Sequence, residues 1–389
     1  MTYNFDKYIN RENTNSVKYD IRKKYFGTEE VMPLWVADMD FETPDFIREA
    51  IIERAKHPIY GYTIRGEGFF SAIIDWMERR HSWKIQKDWI VFSPGIVPAI
   101  NVAVLSFTNP GDKILIQPPV YHPFFGAIKD HGREIIENTL LYKEGSYSID
   151  FIDFEEKAKE ARVFILCHPH NPVGRLWNRE ELSRMKEICQ RNDVIIFSDE
   201  IHSDLILSDS SHIPLLSLDD KSENIITFYA PSKTFNLAGL ATSYLIIPDK
   251  DLRNKYEAFL NSMHLGMGNI FGSVALESAY NEGEEWLEQL LKYLNSNLDF
   301  LAKFIEERIP EIRLVVPEAT YLVWLDLRKL NRSDENLRKL IIEDAGLGLN
   351  DGPTFGEAGA GFQRINIALP KKQLELALLK LENAILNIR

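Results

Sequence analysis

Cysteine is nearly absent: the 389 residues hold only Cys167 and Cys189. Two cysteines cannot build a disulfide framework, and Cys167 stands inside an apolar run where packing is its default role, so a reducing compartment is expected. No apolar stretch reaches the ~18 residues of a membrane span, and Met1 to Asp20 lacks the apolar centre of a signal peptide. The expected location is therefore the cytoplasm, with no membrane partner. Positive charge is also short, with 45 Lys and Arg against 58 Asp and Glu, a formal net charge of −13, and no long basic run. A phosphate-backbone binder needs the opposite balance, which points away from nucleic acid. The histidines His168, His170 and His202, with Glu200, span prolines or strand ends without an established ligand spacing, so no metal site is expected.

What is present is a soluble, globular composition, 45% hydrophobic and 26% charged, in a chain too long for one ordinary core. From residue 89 onward, short apolar runs of β type recur at 89–92, 113–116, 163–167, 194–197, 225–229 and 243–247. Helix-period segments such as 96–107 and 179–191 separate several of them. Continuous apolar strands alternating with helices predict an α/β fold with a mostly parallel sheet covered on both faces. Earlier, the spacing predicts helices over 44–56, with Thr43 as N-cap, and over 67–81. Later, 320–327 reads as a strand and 371–388 as a helical tail.

In parallel sheets of this kind ligands bind beyond the carboxyl ends of the strands, so the residues just past each run carry the most information. After the first comes Ser93-Pro94-Gly95-Ile96-Val97, a small-residue turn opening a helix whose free amides suit a phosphate. Pro118-Pro119-Val120-Tyr121 could fix a tyrosine ring against a flat ligand. Asn171-Pro172-Val173-Gly174 holds an amide side chain in a stiff loop, and Ser198-Asp199-Glu200-Ile201-His202 puts a carboxylate at a strand tip. Finally, Ile225 to Tyr229 delivers Ser232-Lys233-Thr234-Phe235-Asn236. On position alone Lys233 reads as a snorkelling surface residue, with a nucleophilic amine in a partly dry pocket as the alternative. Its companions reverse that preference. Helix-end amides, an aromatic face, an amide donor, a carboxylate and an amine together match the needs of pyridoxal 5′-phosphate.

These segments resemble those of the fold-type I pyridoxal-phosphate enzymes. With Trp35-Val36-Ala37-Asp38-Met39-Asp40-Phe41 and Pro118-Pro119-Val120-Tyr121, the chain is similar to the cystathionine β-lyase and cysteine C–S lyase branch of the class I/II aminotransferase superfamily, in matching order from near residue 30 to Arg364. The resemblance implies a three-layer αβα large domain over 49–285, a smaller α+β domain over 286–389, and an N-terminal arm over 1–48 that joins the small domain. It implies that Lys233 binds the cofactor aldehyde and then acts as general base. Asp199 faces the pyridine nitrogen, Asn171 the 3-oxygen, and Tyr121 stacks on the ring. Ile96, Val97 and Ser232 receive the phosphate, His202 packs beside the cofactor, and Arg364 with Asp38 meets the substrate. Tyr62 reaches the phosphate from a neighbouring subunit, which makes a homodimer with shared sites. The implied reaction is α,β-elimination of a sulfur amino acid such as cystathionine. An amino-acid aminotransferase, or a regulatory protein that keeps the fold, remains open. Two positions depart from common patterns: Ala241 stands where many aminotransferases carry a phosphate-binding arginine, and Asn366-Ile367-Ala368-Leu369-Pro370 differs from the small Gly/Cys-containing sequence of close relatives.

Overall fold

A computed structural model of the chain describes residues 2–219 and 223–388. The apolar runs form a seven-stranded sheet: β1 (Ile90–Ser93), β2 (Lys113–Ile116), β3 (Glu134–Glu137), β4 (Val163–Cys167), β5 (Ile195–Asp199), β6 (Ile225–Tyr229) and β7 (Ser243–Ile246). Their spatial order is β1-β7-β6-β5-β4-β2-β3. Only β7 runs antiparallel to its neighbours; β6-β5-β4-β2-β3 pair in parallel. Because β7 reverses between β1 and β6, the carboxyl ends of β1 to β6 all lie on one edge of the sheet. The turns singled out from sequence therefore meet there.

Alternate residues of each strand feed opposite cores. Ile114, Ile165, Phe197 and Phe228 enter one cluster, while Leu115, Phe164, Ile196 and Tyr229 enter the other. Both faces of the sheet are covered, as continuous apolar strands demand. Helix α1 (Glu67–His81) and helix α3 (Arg179–Arg191) pack on one face, and α2 (Ile96–Phe107) on the other. In α2, Ile96, Ala99, Ile100, Ala103, Val104 and Phe107 are buried at helical spacing, which fixes its start against the strand tips. A capping box between Asn178 and Glu181 opens α3.

A second, four-stranded antiparallel sheet follows, with β8 (Arg313–Val315), β9 (Leu322–Asp326), β10 (Asn350–Asp351) and β11 (Phe362–Asn366) in the order β8-β9-β11-β10. Between the sheets run α4 (Ile270–Glu282) and the long α5 (Glu284–Arg308), and the chain closes with α6 (Lys371–Leu386). Asn297 of α5 is fully buried and donates through Nδ2 to the carbonyls of Ile367 (3.0 Å) and Leu369 (2.9 Å), pinning the segment that leaves β11.

The structure corrects several expectations. Thr43 does not cap the first long helix: Asp45–Ala55 begins after Pro44, with no side-chain cap. Trp89 lies in a short 3-10 turn ahead of β1. Ahead of the Trp35 motif, the arm adds the pair Met32–Pro33, bonded in parallel to Leu347–Gly348. The edge strand β3 went unread because Glu134 and Glu137 flank only two apolar residues, a pattern that an exposed edge tolerates. Replacing Asn297 with Ala leaves two buried carbonyls without a donor and should lower unfolding stability by about 2 kcal/mol. A thermal or urea melt of the variant against the wild type checks this.

Candidate active site

At the carboxyl edge of the large sheet a cavity of about 230 Å³ opens, walled by the residues just past β1, β2, β4, β5 and β6. Its lining includes Ile96, Val97, Tyr121, Asn171, Asp199, His202, Ser232 and Lys233, all expected from sequence. Lys233 sits on a one-turn helix, Pro231–Thr234, rather than in a simple turn. Its Nζ donates to the carbonyl of Ala37 at 2.7 Å. Burial pushes the amine down to about 8; the charges of Asp38 and Asp199 resist that shift and Arg364 adds to it.

Asp199 ends β5 and is buried, with the Ile201 N–H bonded to Oδ1 at 3.2 Å. Burial raises its carboxyl to about 7, against the pull of that N–H and of Lys233. A carboxylate placed so is stabilised by any cation brought against it. Asn171 is held through Oδ1 by Arg364 Nη1 at 2.9 Å, so its orientation is fixed and its Nδ2 is the end left to donate. Ile96 and Val97 belong to the first turn of α2, where helical N–H groups lack intrahelical acceptors, and Gly95 precedes them at φ +158. Ser232 brings a hydroxyl to the same wall. Tyr121 is half-buried, and burial followed by the Asp199 charge lifts its phenol to about 12. His202 is buried with Nδ1 unpartnered, and burial drives its pKa well below the ordinary value, so its ring stays neutral.

Arg364, on β11, is buried beside this cavity rather than solvated. Nη2 donates to the Trp35 carbonyl (2.9 Å) and to Asn350 Oδ1 (2.6 Å) on the adjacent strand, while Nε has no protein partner. Two expected residues lie outside this cavity, although Asp38 borders an adjoining hollow with Ala37, Lys233 and Ala238. Asp38 does not line the cavity; its carboxylate is taken up by Arg11, at 2.6 and 3.0 Å. Tyr62 is 96% exposed and borders a different surface hollow, with Tyr60 and Met267.

Sequence reading missed the strap formed by residues 35–39. Asn366 Nδ2 donates to the carbonyls of Val36 (2.7 Å) and Asp38 (2.6 Å), and Tyr321 donates to Ala37 (3.0 Å). Asn236 accepts from the Met39 N–H at 3.0 Å and donates to the Met39 carbonyl at 2.9 Å. The acceptors are backbone carbonyls, which no side-chain motif announces, although Asn236 and Asn366 both lie in segments that stood out.

Taken as a shape, the cavity answers pyridoxal phosphate point by point: an amine, a buried carboxylate, an oriented amide donor, a ring face, and a helix start with a hydroxyl. Lys233 is the one cationic side chain among its lining residues, since Ala241 supplies none. The profile of aminotransferases class I and II matches residues 29–381. The chain belongs to the class I and II aminotransferase family. Within it, the chain is 43% identical to cystathionine beta-lyase PatB of Bacillus subtilis (strain 168), over 98% of this chain and 100% of that protein. The crystal structure of cystalysin from Treponema denticola, which contains pyridoxal 5′-phosphate, superposes with a TM-score of 0.97 at 38% identity and covers 100% of both chains. The PLP-bound C–S lyase from Staphylococcus hominis gives 0.93 at 36% identity, over 99% of this chain and 98% of that one.

A depressed amine is a free base over a wider pH range. In cofactor-free protein, acylation of Lys233 by a small anhydride, followed by peptide mass spectrometry, should rise through about pH 8. Surface lysines should follow the ordinary, higher range.

Proposed function

We propose that the chain is a pyridoxal-phosphate-dependent C–S lyase that cleaves cysteine S-conjugates such as cystathionine by α,β-elimination. The products are a thiol, here homocysteine, with pyruvate and ammonia. The observation that carries this reading is the pairing of a desolvated Lys233 amine with the buried Asp199 carboxylate in one cavity, in a chain 43% identical to a cystathionine beta-lyase across its length. When bound, pyridoxal phosphate supplies an electron sink that stabilises negative charge at the substrate Cα.

Lys233 would hold the cofactor at its aldehyde carbon, and its amine, when free, would take the substrate Cα proton as general base. Its lowered pKa leaves a useful share of free amine near neutrality. Asp199 would face the pyridine nitrogen and favour its protonated form, and positive charge there would offset the burial that raises its carboxyl. Asn171 donates Nδ2 to the 3-oxygen, fixed in that pose by Arg364. Tyr121, protonated at neutral pH, stacks on the ring, and His202 packs beside it as a neutral ring. The amides of Ile96 and Val97 and the Ser232 hydroxyl take the phosphate, helped by the α2 dipole in place of an arginine at Ala241. Arg364, whose Nε has no protein partner, would meet the substrate carboxylate with its planar guanidinium, which lysine cannot imitate. Asp38 acts at a distance: paired with Arg11, it lends negative charge to the Lys233 amine.

The exposed Tyr62, with Tyr60 and Ile64 also exposed beside it, belongs in this reading to a homodimer in which it completes the neighbour's phosphate site. The arm over 1–48, the large domain over 49–285 and the small domain over 286–389 are retained as the working division, with the cytoplasm as location. No helix among the described residues is long and apolar enough to cross a membrane.

Purified holoenzyme given cystathionine should release pyruvate and free thiol in equal amounts; amino transfer dependent on a keto acid, without pyruvate, would instead make it an aminotransferase. Lys233→Ala should lower kcat by about a thousandfold. Asp199→Asn should retain the cofactor yet lose roughly a hundredfold in kcat; steady-state kinetics with a cofactor absorbance measurement separates binding from turnover.

A further inference from the structure

The one-turn helix carrying Lys233 is too short to hold itself. Four residues make a marginal helix in any sequence, and Pro231–Thr234 has no side-chain N-cap. Restraint must come from outside, and it comes through two residues that follow the lysine, Asn236 and Thr234, tied to two different elements. Asn236 grips Met39. Directly after the lysine, the buried Thr234 hydroxyl donates to Asp204 Oδ2 at 2.7 Å.

Asp204 is buried in the turn after β5, five residues beyond Asp199. That turn is itself closed by the Ser203 and Leu205 N–H groups bonded to the carbonyls of Glu200 and His202, each at 3.0 Å. From the other side, Trp76 Nε1 donates to Asp204 Oδ1 at 3.2 Å, and His81 Nε2 shares a hydrogen bond with the same oxygen at 3.0 Å. Trp76 and His81 both lie on α1. Three elements thus converge on one carboxylate: the turn bearing Asp199, the helix bearing Lys233, and α1. Glu200 makes a parallel tie beneath, accepting from Ser198, His212, Tyr229 and the Leu215 N–H and so linking the tip of β5 to the end of β6.

We infer that Asp204 is a positioning residue for the elimination chemistry, setting the separation of the Lys233 amine and the Asp199 carboxylate through its hydrogen bond with Thr234. It touches neither cofactor nor substrate. The inference rests on the proposed role of Lys233 as the cofactor-binding amine. Hydrogen bonding to His81 and Thr234 keeps the carboxyl below its usual range although burial opposes this, so Asp204 presents an anionic acceptor to the Thr234 hydroxyl.

Thr234→Val removes only that hydroxyl. The comparison variants are Thr234→Ser, which restores the donor, and Tyr244→Phe, which removes a buried hydroxyl bonded to Tyr280 in the same core but not to Asp204. All are measured as holoenzymes, by steady-state kinetics and by the pH dependence of the cofactor's visible absorption. Thr234→Val should lower kcat roughly ten- to a hundredfold with KM little changed, and should move the absorption midpoint. Thr234→Ser and Tyr244→Phe should keep the wild-type kcat and midpoint. If Thr234→Val melts earlier but keeps kcat and midpoint unchanged, the inference is overturned. If the wild-type holoenzyme itself shows no visible band on lysine, the cofactor reading fails and this inference falls with it.

Discussion

The hydrogen bond from Lys233 Nζ to the Ala37 carbonyl, 2.7 Å long, is where the molecule comes together. An ammonium taken from water loses solvation that a neutral carbonyl only partly returns, so the amine is biased toward its free base while its nitrogen stays in place. The carbonyl cannot drift, because Asn366, Tyr321, Asn236 and Arg364 hold the strap on both sides of it. Those four residues come from the large sheet's edge and from the small sheet. The arm beneath is itself locked by buried charge: Lys18 pairs with Asp40 at 2.8 Å, and Arg11 spans Asp38 and Asp40. Removing one partner of such a set leaves a buried charge unpaired, which makes the arm a rigid wall rather than a loose tail.

The α/β architecture explains why so many different functional groups can share a small volume. Strands that run side by side present their carboxyl ends at spacings of about 5 Å, and each tip delivers its own group: Gly95 and the start of α2 after β1, Tyr121 after β2, Asn171 after β4, Asp199 at the end of β5, Lys233 after β6. The reversal of β7 brings Ala241 and Thr242 to the same edge as the chain enters that strand. The small sheet adds Arg364 from the side, with its cross-strand neighbour Asn350 as a hydrogen-bond partner. A fold of this kind sets positions, and chemistry is then a matter of which side chain stands at each tip.

Much of this was legible in the chain. Ile225-Ile226-Thr227-Phe228-Tyr229 reads as a buried strand because both faces of the sheet demand apolar residues, and Lys233 stands past the tip for the same reason. Asp199 and Asn171 were found by that logic as well. The strap was not legible, since its acceptors are the carbonyls of Trp35, Val36, Ala37 and Asp38, and a carbonyl leaves no trace in residue identity. Asp204 was passed over because an acidic residue five positions after a strand looks solvated until Thr234, Trp76 and His81 are seen around it. Asp38, set beside the substrate by the resemblance, pairs with Arg11 and borders a second hollow that Lys233 also lines. Tyr62 lies outside its own chain's cavity, exposed at a separate surface hollow.

The central claim is that a single amine, that of Lys233, engages the cofactor. Its most direct test is borohydride reduction of the holoenzyme, then proteolysis and mass mapping of the pyridoxyl adduct. The account predicts one modified lysine, Lys233, at stoichiometric occupancy. An adduct distributed over surface lysines, or concentrated on another residue with Lys233 unmodified, would contradict it.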